Sequence, residues 1–128
     1  MEKGSTIVNL EDLFTEQLRD RFDAAKQQDE FLPKLRNRIT DKVLKEIISD
    51  VVLTNREHLN ELPEIFDAIE RSAEGETCEG TKALIHEAME VISRSVDEEI
   101  LDVAIAVAVQ HIKHHDISGF RTCKTYAQ

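Results

Sequence analysis

Three of the chain's five histidines, His111, His114 and His115, lie beside Asp116 in one short segment. If this segment is helical, His111 and His115 are four residues apart and lie on the same face. Two imidazoles at that spacing can hold one divalent ion, and nitrogen ligands favour zinc, copper, nickel or iron over magnesium. His58, or its neighbour Glu57, is placed to complete the ligand set from another helix.

We therefore predict a candidate metal site at His58, His111, His115 and Asp116. The alternative interpretation is a group of partly buried histidines, hydrogen-bonded to neighbouring polar groups and to water. If the histidines are only hydrogen-bonded, the protein needs no cofactor. If the metal site forms, the protein binds a divalent metal such as iron, manganese or zinc. We predict no catalytic residue and no site for an organic cofactor.

Cys78 is a second candidate for chemistry. It stands at the predicted start of a helix, where the helix dipole lowers the pKa of a thiol, so a reactive thiolate is one interpretation. A small buried apolar side chain is the other. The sequence has no Cys-x-x-Cys pair, no Ser-His-Asp arrangement and no glycine-rich phosphate loop.

The elements that must position these groups are helices, because apolar residues recur at three- and four-residue steps along most of the chain. Asn9 is the predicted N-cap of the first helix, and the second begins near Thr40 or Asp41. A polar interruption at 54–58 divides the stripe of the second helix. Pro33 and Pro63 are expected to kink their helices or, for Pro33, to divide one. The third covers about Glu79 to Ser93, and a Ser95–Glu98 capping box opens the fourth, which runs to roughly Tyr126.

Four helices with short connections predict an all-α fold, an antiparallel up-down four-helix bundle with one short helix. The chain has 128 residues, of which 41% are apolar and 33% charged, enough for a single hydrophobic core. We predict a flexible N-terminal tail over residues 1–8 and one helical-bundle domain over residues 9–128.

The net charge of −10 argues against a nucleic-acid partner and against an anionic membrane surface. No apolar run approaches the roughly 18 residues that span a bilayer, and the N-terminus has no signal-peptide pattern. The two cysteines, Cys78 and Cys123, are far apart in the sequence and are predicted to be reduced. These features predict a cytoplasmic protein.

The last helix is apolar almost all round from Ile100 to Val109, so it needs cover on more than one face. One long helix, one bent helix and one short helix do not supply that cover. A symmetric homodimer, in which the two last helices or the two first helices pack together, would supply the rest.

Three stretches resemble the YciE/YciF-type ferritin-like proteins, a family associated with bacterial stress responses. The first helix carries the run Leu10 to Phe14, then Leu18-Arg19-Asp20 and Lys26-Gln27. After Cys78 comes a segment with Leu84, Ile85, Glu87, Glu90, Val91 and Ile92. The last helix carries Asp102, Ala104, Ile105, Ala106, Ala108, Gln110, His114, Ile117, Thr122 and Ala127. The resemblance implies a ferritin-like bundle.

The chain departs from that family where carboxylates or histidine are expected, with Ala25, Leu53, Arg56 and Lys113 instead. Asp116 then remains as the acid of the last-helix motif. The resemblance also implies a further glutamate-rich helix beyond the present residues. We expect a salt bridge from Arg56 to Asp20, Asp23 or Asp116 to have replaced the metal.

Two functions follow from these patterns. The first is a non-catalytic ferritin-like helical bundle, stress-associated through the resemblance, that acts by dimerisation and contacts with an unknown protein partner. The alternative is a metal-binding ferritin-like protein that acts as an oxidase or consumes peroxide. The non-ligand residues at positions 25, 53, 56 and 113 favour the first.

Overall fold

The computed structural model describes residues 6–127 and contains four α-helices. They are α1 (Leu10–Arg36), α2 (Lys42–Ala68), α3 (Glu79–Ser93) and α4 (Glu98–Ala127). Of the predicted N-terminal tail, residues 1–5 lie outside the described residues, and residues 6–8 precede α1 without regular structure. The prediction of an all-α up-down bundle with one short helix is confirmed.

Side chains at the helix starts explain where three of the helices begin. The side chain of Asn9 accepts a hydrogen bond from the backbone N–H of Asp12, and that of Asp41 accepts one from Leu44. Cys78 has the same role at α3, where its sulfur accepts from the Thr81 N–H. Each contact satisfies a backbone donor that has no partner within the first turn of the helix.

The start of α4 differs from its prediction. Asp97 Oδ1 accepts from the backbone N–H of Glu99 at 2.8 Å, whereas Ser95 Oγ donates back to the Val91 carbonyl at 2.9 Å. The predicted Ser95–Glu98 capping box was therefore wrong. Asp97, the residue directly before the helix, makes the cap.

Neither the prolines nor the polar segment of α2 divides its helix. The first helix continues through Pro33 to Arg36, and the second continues through residues 54–58 and Pro63 to Ala68. Asn55 shows why the polar segment stays helical. Its side chain is buried and donates to the Ala25 carbonyl of α1 at 2.9 Å. What the sequence presents as an interruption is a contact between helices.

The first helix is the centre of the bundle, since it packs against the other three, and α3 packs mainly on α4. Antiparallel pairing follows from contacts such as Thr40 with Asp102 and Asn55 with Ala25. Buried apolar residues form two clusters. One contains Phe31, Leu32, Leu35, Ile39, Ile48, Val52, Ala88, Ile92, Ile105, Ala108, Val109 and Ile112. The other contains Leu18, Ala25, Leu62, Phe66 and Cys123.

The apolar stretch of α4 is covered on one side only. Ile105 and Val109 are buried, but Ile100, Val103 and Val107 are 57%, 61% and 42% exposed. A separate open groove of about 590 Å³ lies between α2 and α4. Within residues 6–127, no helix is both long enough and apolar enough to cross a membrane.

Candidate functional site

A buried arginine of α1 is the centre of the most polar part of the interior. Arg21 is 2% exposed, and its Nη1 donates to Asp116 Oδ1 of α4 at 2.9 Å. Its Nη2 donates to Asp20 Oδ2 at 2.9 Å. Because an uncompensated charge is costly in an interior, these two carboxylates are what permit the guanidinium to be buried.

The same Nη2 atom also lies near two groups of softer chemistry. It is 3.5 Å from Cys78 Sγ and 3.3 Å from His115 Nε2. A guanidinium offers donors only, so a hydrogen bond between these two nitrogens requires Nε2 to accept, with the ring proton on Nδ1. In that tautomer the imidazole directs an unprotonated nitrogen at the cation.

Asp116 is fully engaged within the bundle. Gln28 Nε2 of α1 donates to its two oxygens at 3.0 and 2.9 Å. Lys113 Nζ contributes a further bond, at 3.1 Å, one turn earlier on α4. With Arg21 and Lys113 as two cationic partners, this carboxylate closes a protein-internal network and has little capacity left for a ligand.

Cys78 is held as a buried thiol. Burial raises its pKa, and the hydrogen bonds with Thr81, which lower it, do not offset that effect. Its Sγ donates to Thr81 Oγ1 at 3.2 Å, as a thiol does. Burial likewise raises the pKa of Cys123. Of the two interpretations of Cys78, the buried side chain fits this environment, and a thiolate would need a further positive charge.

Bonds to the first helix fix the backbone at Cys78. Its N–H donates to Asp23 Oδ2 at 2.7 Å, and its carbonyl accepts from Gln27 Nε2 at 3.1 Å. The loop entering α3 is therefore tied to α1 on both sides of the cysteine. That attachment places the sulfur beside Arg21.

Two glycines make the close approaches possible. A Cβ at Gly119 of α4 would lie 2.4 Å from Arg21 Nε, and one at Gly80 would lie 2.7 Å from His115 Nε2. Both distances are far below van der Waals contact, so each glycine leaves space that a neighbouring polar side chain fills. Glycine costs about 1 kcal/mol in a helix interior relative to alanine.

The four predicted metal residues have different surroundings. His115 adjoins Cys78 and Arg21, and Asp116 is bonded to Arg21 and Gln28. The ring of His58 packs on Phe120 with centroids 5.1 Å apart, while His111 is exposed beside a groove between α3 and α4. Metal binding by these four residues stays a prediction.

Among the described residues, one group of metal-ligand type has its ligand atoms close together. Asp20, Cys78 and His115 offer a carboxylate oxygen, a sulfur and an imidazole nitrogen, all within 4.8 Å of one another. Only His115 of the predicted set belongs to it. Asp20 and Cys78 come from α1 and from the start of α3, and no spacing rule within one helix could have joined them to α4.

The carboxylate cage of a ferritin-like di-metal site does not fit the positions that the resemblance indicated. Ala25 is buried and apolar, and Leu53 is 57% exposed. Arg56 pairs with Asp29 at 3.0 Å and has a side chain that is 53% exposed. The expected bridge from Arg56 to Asp20, Asp23 or Asp116 was therefore wrong, because Arg56 lies on the solvent-facing side of α2.

Arg21 is the residue that sequence reasoning missed. It lies three residues after Leu18 and four before Ala25, both buried, and so occupies the apolar stripe of α1. A charged residue at such a position is an available signal for a buried ion pair. The buried arginine is thus Arg21 of α1, whereas the sequence had pointed to Arg56 of α2.

Comparisons with known proteins agree with this architecture. The family described as "Domain of unknown function (DUF892)" matches residues 9–128. The chain therefore belongs to this family. Its own structure is an all-helical bundle with a polar centre on the first and last helices.

Individual relatives are similar over most of their length. Protein YciF of Escherichia coli is 28% identical over 127 residues, which cover 93% of this chain and 72% of YciF. The solved structure of that E. coli stress protein superposes with a TM-score of 0.88 at 24% identity, covering 94% of this chain and 77% of YciF. YcfI of Rhodopseudomonas palustris, to which a structural role is ascribed, has a TM-score of 0.92 at 26% identity, with 98% and 80% covered.

Proposed function

We propose that this protein is a non-catalytic, stress-associated helical bundle of the cytoplasm that acts through protein contacts, first of all with a second copy of itself. The stress association derives from YciF, which is described as a stress protein of E. coli. The observation that carries the proposal is the exposed apolar stripe of α4. It consists of Ile100, Val103 and Val107.

The stripe is suited to pairing with its own copy. Its residues are separated by three and four positions, so they form one ridge along α4. Beside it, Val107 and the half-exposed Val91 of α3 line a groove of about 240 Å³. A two-fold axis across this face would insert the ridge of each copy into the groove of the other.

Light scattering on the purified chain at micromolar concentration tests the proposal, and we expect the mass of a dimer. Val103→Glu should give a monomer, because the two-fold axis brings two buried charges into one interface. The matched control is Val43→Glu on α2, since Val43 is 64% exposed and Val103 is 61% exposed. Val43→Glu should stay dimeric. A monomeric wild-type chain contradicts the proposal.

The absence of catalysis is tested separately. Iron(II) is mixed with the protein in air or with peroxide, and we expect no saturable, protein-dependent oxidation. His115→Ala is the comparison, since His115 belongs to both the predicted metal set and the observed cluster. A saturable rate in the wild type that is lost in this variant would favour the metal-dependent oxidase instead.

A further inference from the structure

One nitrogen atom of Arg21 lies among three groups of the kinds that bind metal ions. Nη2 is 2.9 Å from Asp20 Oδ2, 3.3 Å from His115 Nε2 and 3.5 Å from Cys78 Sγ. These three groups come from α1, from α4 and from the start of α3. Their ligand atoms converge on a single point that a cationic group already occupies.

We propose that Asp20, Cys78 and His115 form a binding site for a divalent ion of the zinc class, and that Arg21 is the built-in competitor for the same three ligands. Sulfur, imidazole nitrogen and carboxylate oxygen together are the donor set that zinc takes. Magnesium and calcium prefer oxygen ligands. Three protein ligands leave a fourth tetrahedral position for water.

The spacing of the ligand atoms agrees with a tetrahedral ion. With zinc at about 2.3 Å from sulfur and about 2.1 Å from nitrogen, the two ligand atoms should be roughly 3.6 Å apart. Cys78 Sγ and His115 Nε2 are 3.7 Å apart. The distance between these two ligand atoms therefore matches that expected when they share an ion.

Metal binding asks different things of the two softer ligands. The Nδ1–H tautomer of His115, the one that accepts from Nη2, presents the unprotonated nitrogen that binds metal. The missing side chain of Gly80 leaves room at that nitrogen, since a Cβ there would lie 2.7 Å away. Cys78 loses its proton on metal binding, and the ion then supplies the positive charge that Arg21 supplies now.

Arg21 blocks the site without being perfectly satisfied in it. Its Nε is buried and has no hydrogen-bond partner among the described residues. A buried donor without a partner is unfavourable, and withdrawal of the side chain relieves that cost. Asp116 would keep Gln28 and Lys113 as partners when Arg21 leaves. The competition between arginine and metal is therefore a balance that a single substitution can shift.

Cobalt(II) is the probe, because a bound thiolate gives it a charge-transfer absorption in the near ultraviolet. Arg21→Met, which keeps a long side chain without charge, should bind one cobalt per chain with this band. We expect its affinity to exceed that of the wild type on the order of 100-fold, the effect of losing charged hydrogen bonds to the same ligands. Zinc should displace the cobalt.

Cysteine variants in the Arg21→Met background identify the ligand. Cys78→Ser should abolish the band, and Cys123→Ser should preserve it, although both sulfurs are buried. Circular dichroism reports whether each variant folds. If Arg21→Met does not fold, Arg21→Gln replaces it in the cobalt titration. If neither variant folds, the wild type is titrated at high cobalt concentration instead.

Three outcomes overturn the proposal. The first is a folded Arg21 variant that shows no cobalt–thiolate band. If neither variant folds, a wild type without that band has the same meaning. Another is a band that survives Cys78→Ser. The third is a wild type that binds cobalt as tightly as Arg21→Met, which would show that Arg21 does not compete. The dimer is tested by mass alone, so either result can fail without the other.

Discussion

Asp102 and Asp116 are two buried acids of the same helix, about four turns apart, and their surroundings differ in kind. Asp102 accepts from neutral donors of the segment between α1 and α2, namely Thr40 N, Thr40 Oγ1 and Asp41 N at 2.9–3.0 Å. Asp116 accepts from Arg21, Lys113 and Gln28. The donors to Asp102 are all neutral, whereas two of the three residues that donate to Asp116 are cations.

The difference separates a structural lock from a candidate site. Neutral donors around Asp102 fix the start of α2 and leave no charge to be exchanged. Arg21 connects Asp116 to the group of Asp20, Cys78 and His115, and a metal ion could take the place of this cation. Burial alone therefore does not distinguish a functional acid from a structural one. The two acids differ in the charge of the groups that donate to them.

The largest effect is expected at the charged pair. Asp116→Ala leaves Arg21 buried with one carboxylate partner fewer, and removing one member of a buried ion pair costs about 3–5 kcal/mol. Urea denaturation measures this loss of unfolding free energy. Asp50→Ala, at an exposed position of α2, is the control and should change stability by less than about 0.5 kcal/mol.

A second substitution shows whether the buried charge is the cause. Adding Arg21→Met to Asp116→Ala should recover part of the loss, because the unpaired cation is then absent. A loss below about 1 kcal/mol in Asp116→Ala, or strict additivity of the two substitutions, would show that the pair is energetically unimportant. The contrast with Asp102 would then disappear.

A smaller loss is expected at the lock. Asp102→Ala removes three hydrogen bonds to a charged acceptor, but the freed donors lie near the surface, where water replaces part of the interaction. We expect destabilisation of about 2 kcal/mol by urea denaturation. In the Arg21→Met background the same change should leave cobalt affinity unaltered, since Asp102 contacts none of the proposed ligands. A shift in cobalt affinity would mean that the two regions are coupled.

The same residue predicts a pH dependence. Desolvation raises the pKa of Asp102, but the hydrogen bonds from Thr40 and Asp41 outweigh it, and the net shift is downward. A depressed folded-state pKa stabilises the fold above the ordinary aspartate pKa of about 4, and this contribution is lost as pH falls through the folded value. The stability gap between wild type and Asp102→Asn should therefore be constant near neutral pH and shrink in acid. A gap that widens in acid contradicts the assignment.

Gly119 tests how closely the bundle is fitted to its arginine. Alanine is the better helix former by about 1 kcal/mol, but its Cβ would lie 2.4 Å from Arg21 Nε. Gly119→Ala should therefore destabilise the protein by about 1–2 kcal/mol in thermal or urea unfolding. In an Arg21→Ala background the sign should reverse, because the space is then empty. Stabilisation in both backgrounds would mean that Arg21 moves aside easily.

The helices themselves could be predicted from the sequence because their signals are local. Asn9, Asp41 and the span of α3 follow from caps and periodicity, which act within a few residues. Local patterns failed where a distant helix supplied the partner. Asn55 looked like part of an interruption, yet its amide bonds to the backbone of α1.

The candidate site could be predicted only in part, because some of its residues come from distant helices. His115 was predicted from its four-residue spacing to His111, with Asp116 as the adjacent acid. Asp20 and Cys78 join His115 through the packing of α1 and of the loop before α3. His111 and His115 share a face of α4 but lie about one turn apart along its axis. That offset places His111 at an exposed position away from the polar centre. Packing decided which histidine the interior receives.

The smallest effect is expected at the arginine that the sequence favoured. Arg56 pairs with Asp29 at 3.0 Å, but the arginine side chain is 53% exposed, so water and salt weaken the attraction. Arg56→Ala should cost less than about 1 kcal/mol in urea denaturation, and added salt should reduce the difference further. A loss as large as that of Asp116→Ala would place the principal ion pair of the bundle on α2. The exposed Arg56, and not the buried Arg21, would then contribute most to stability, against what their burial predicts.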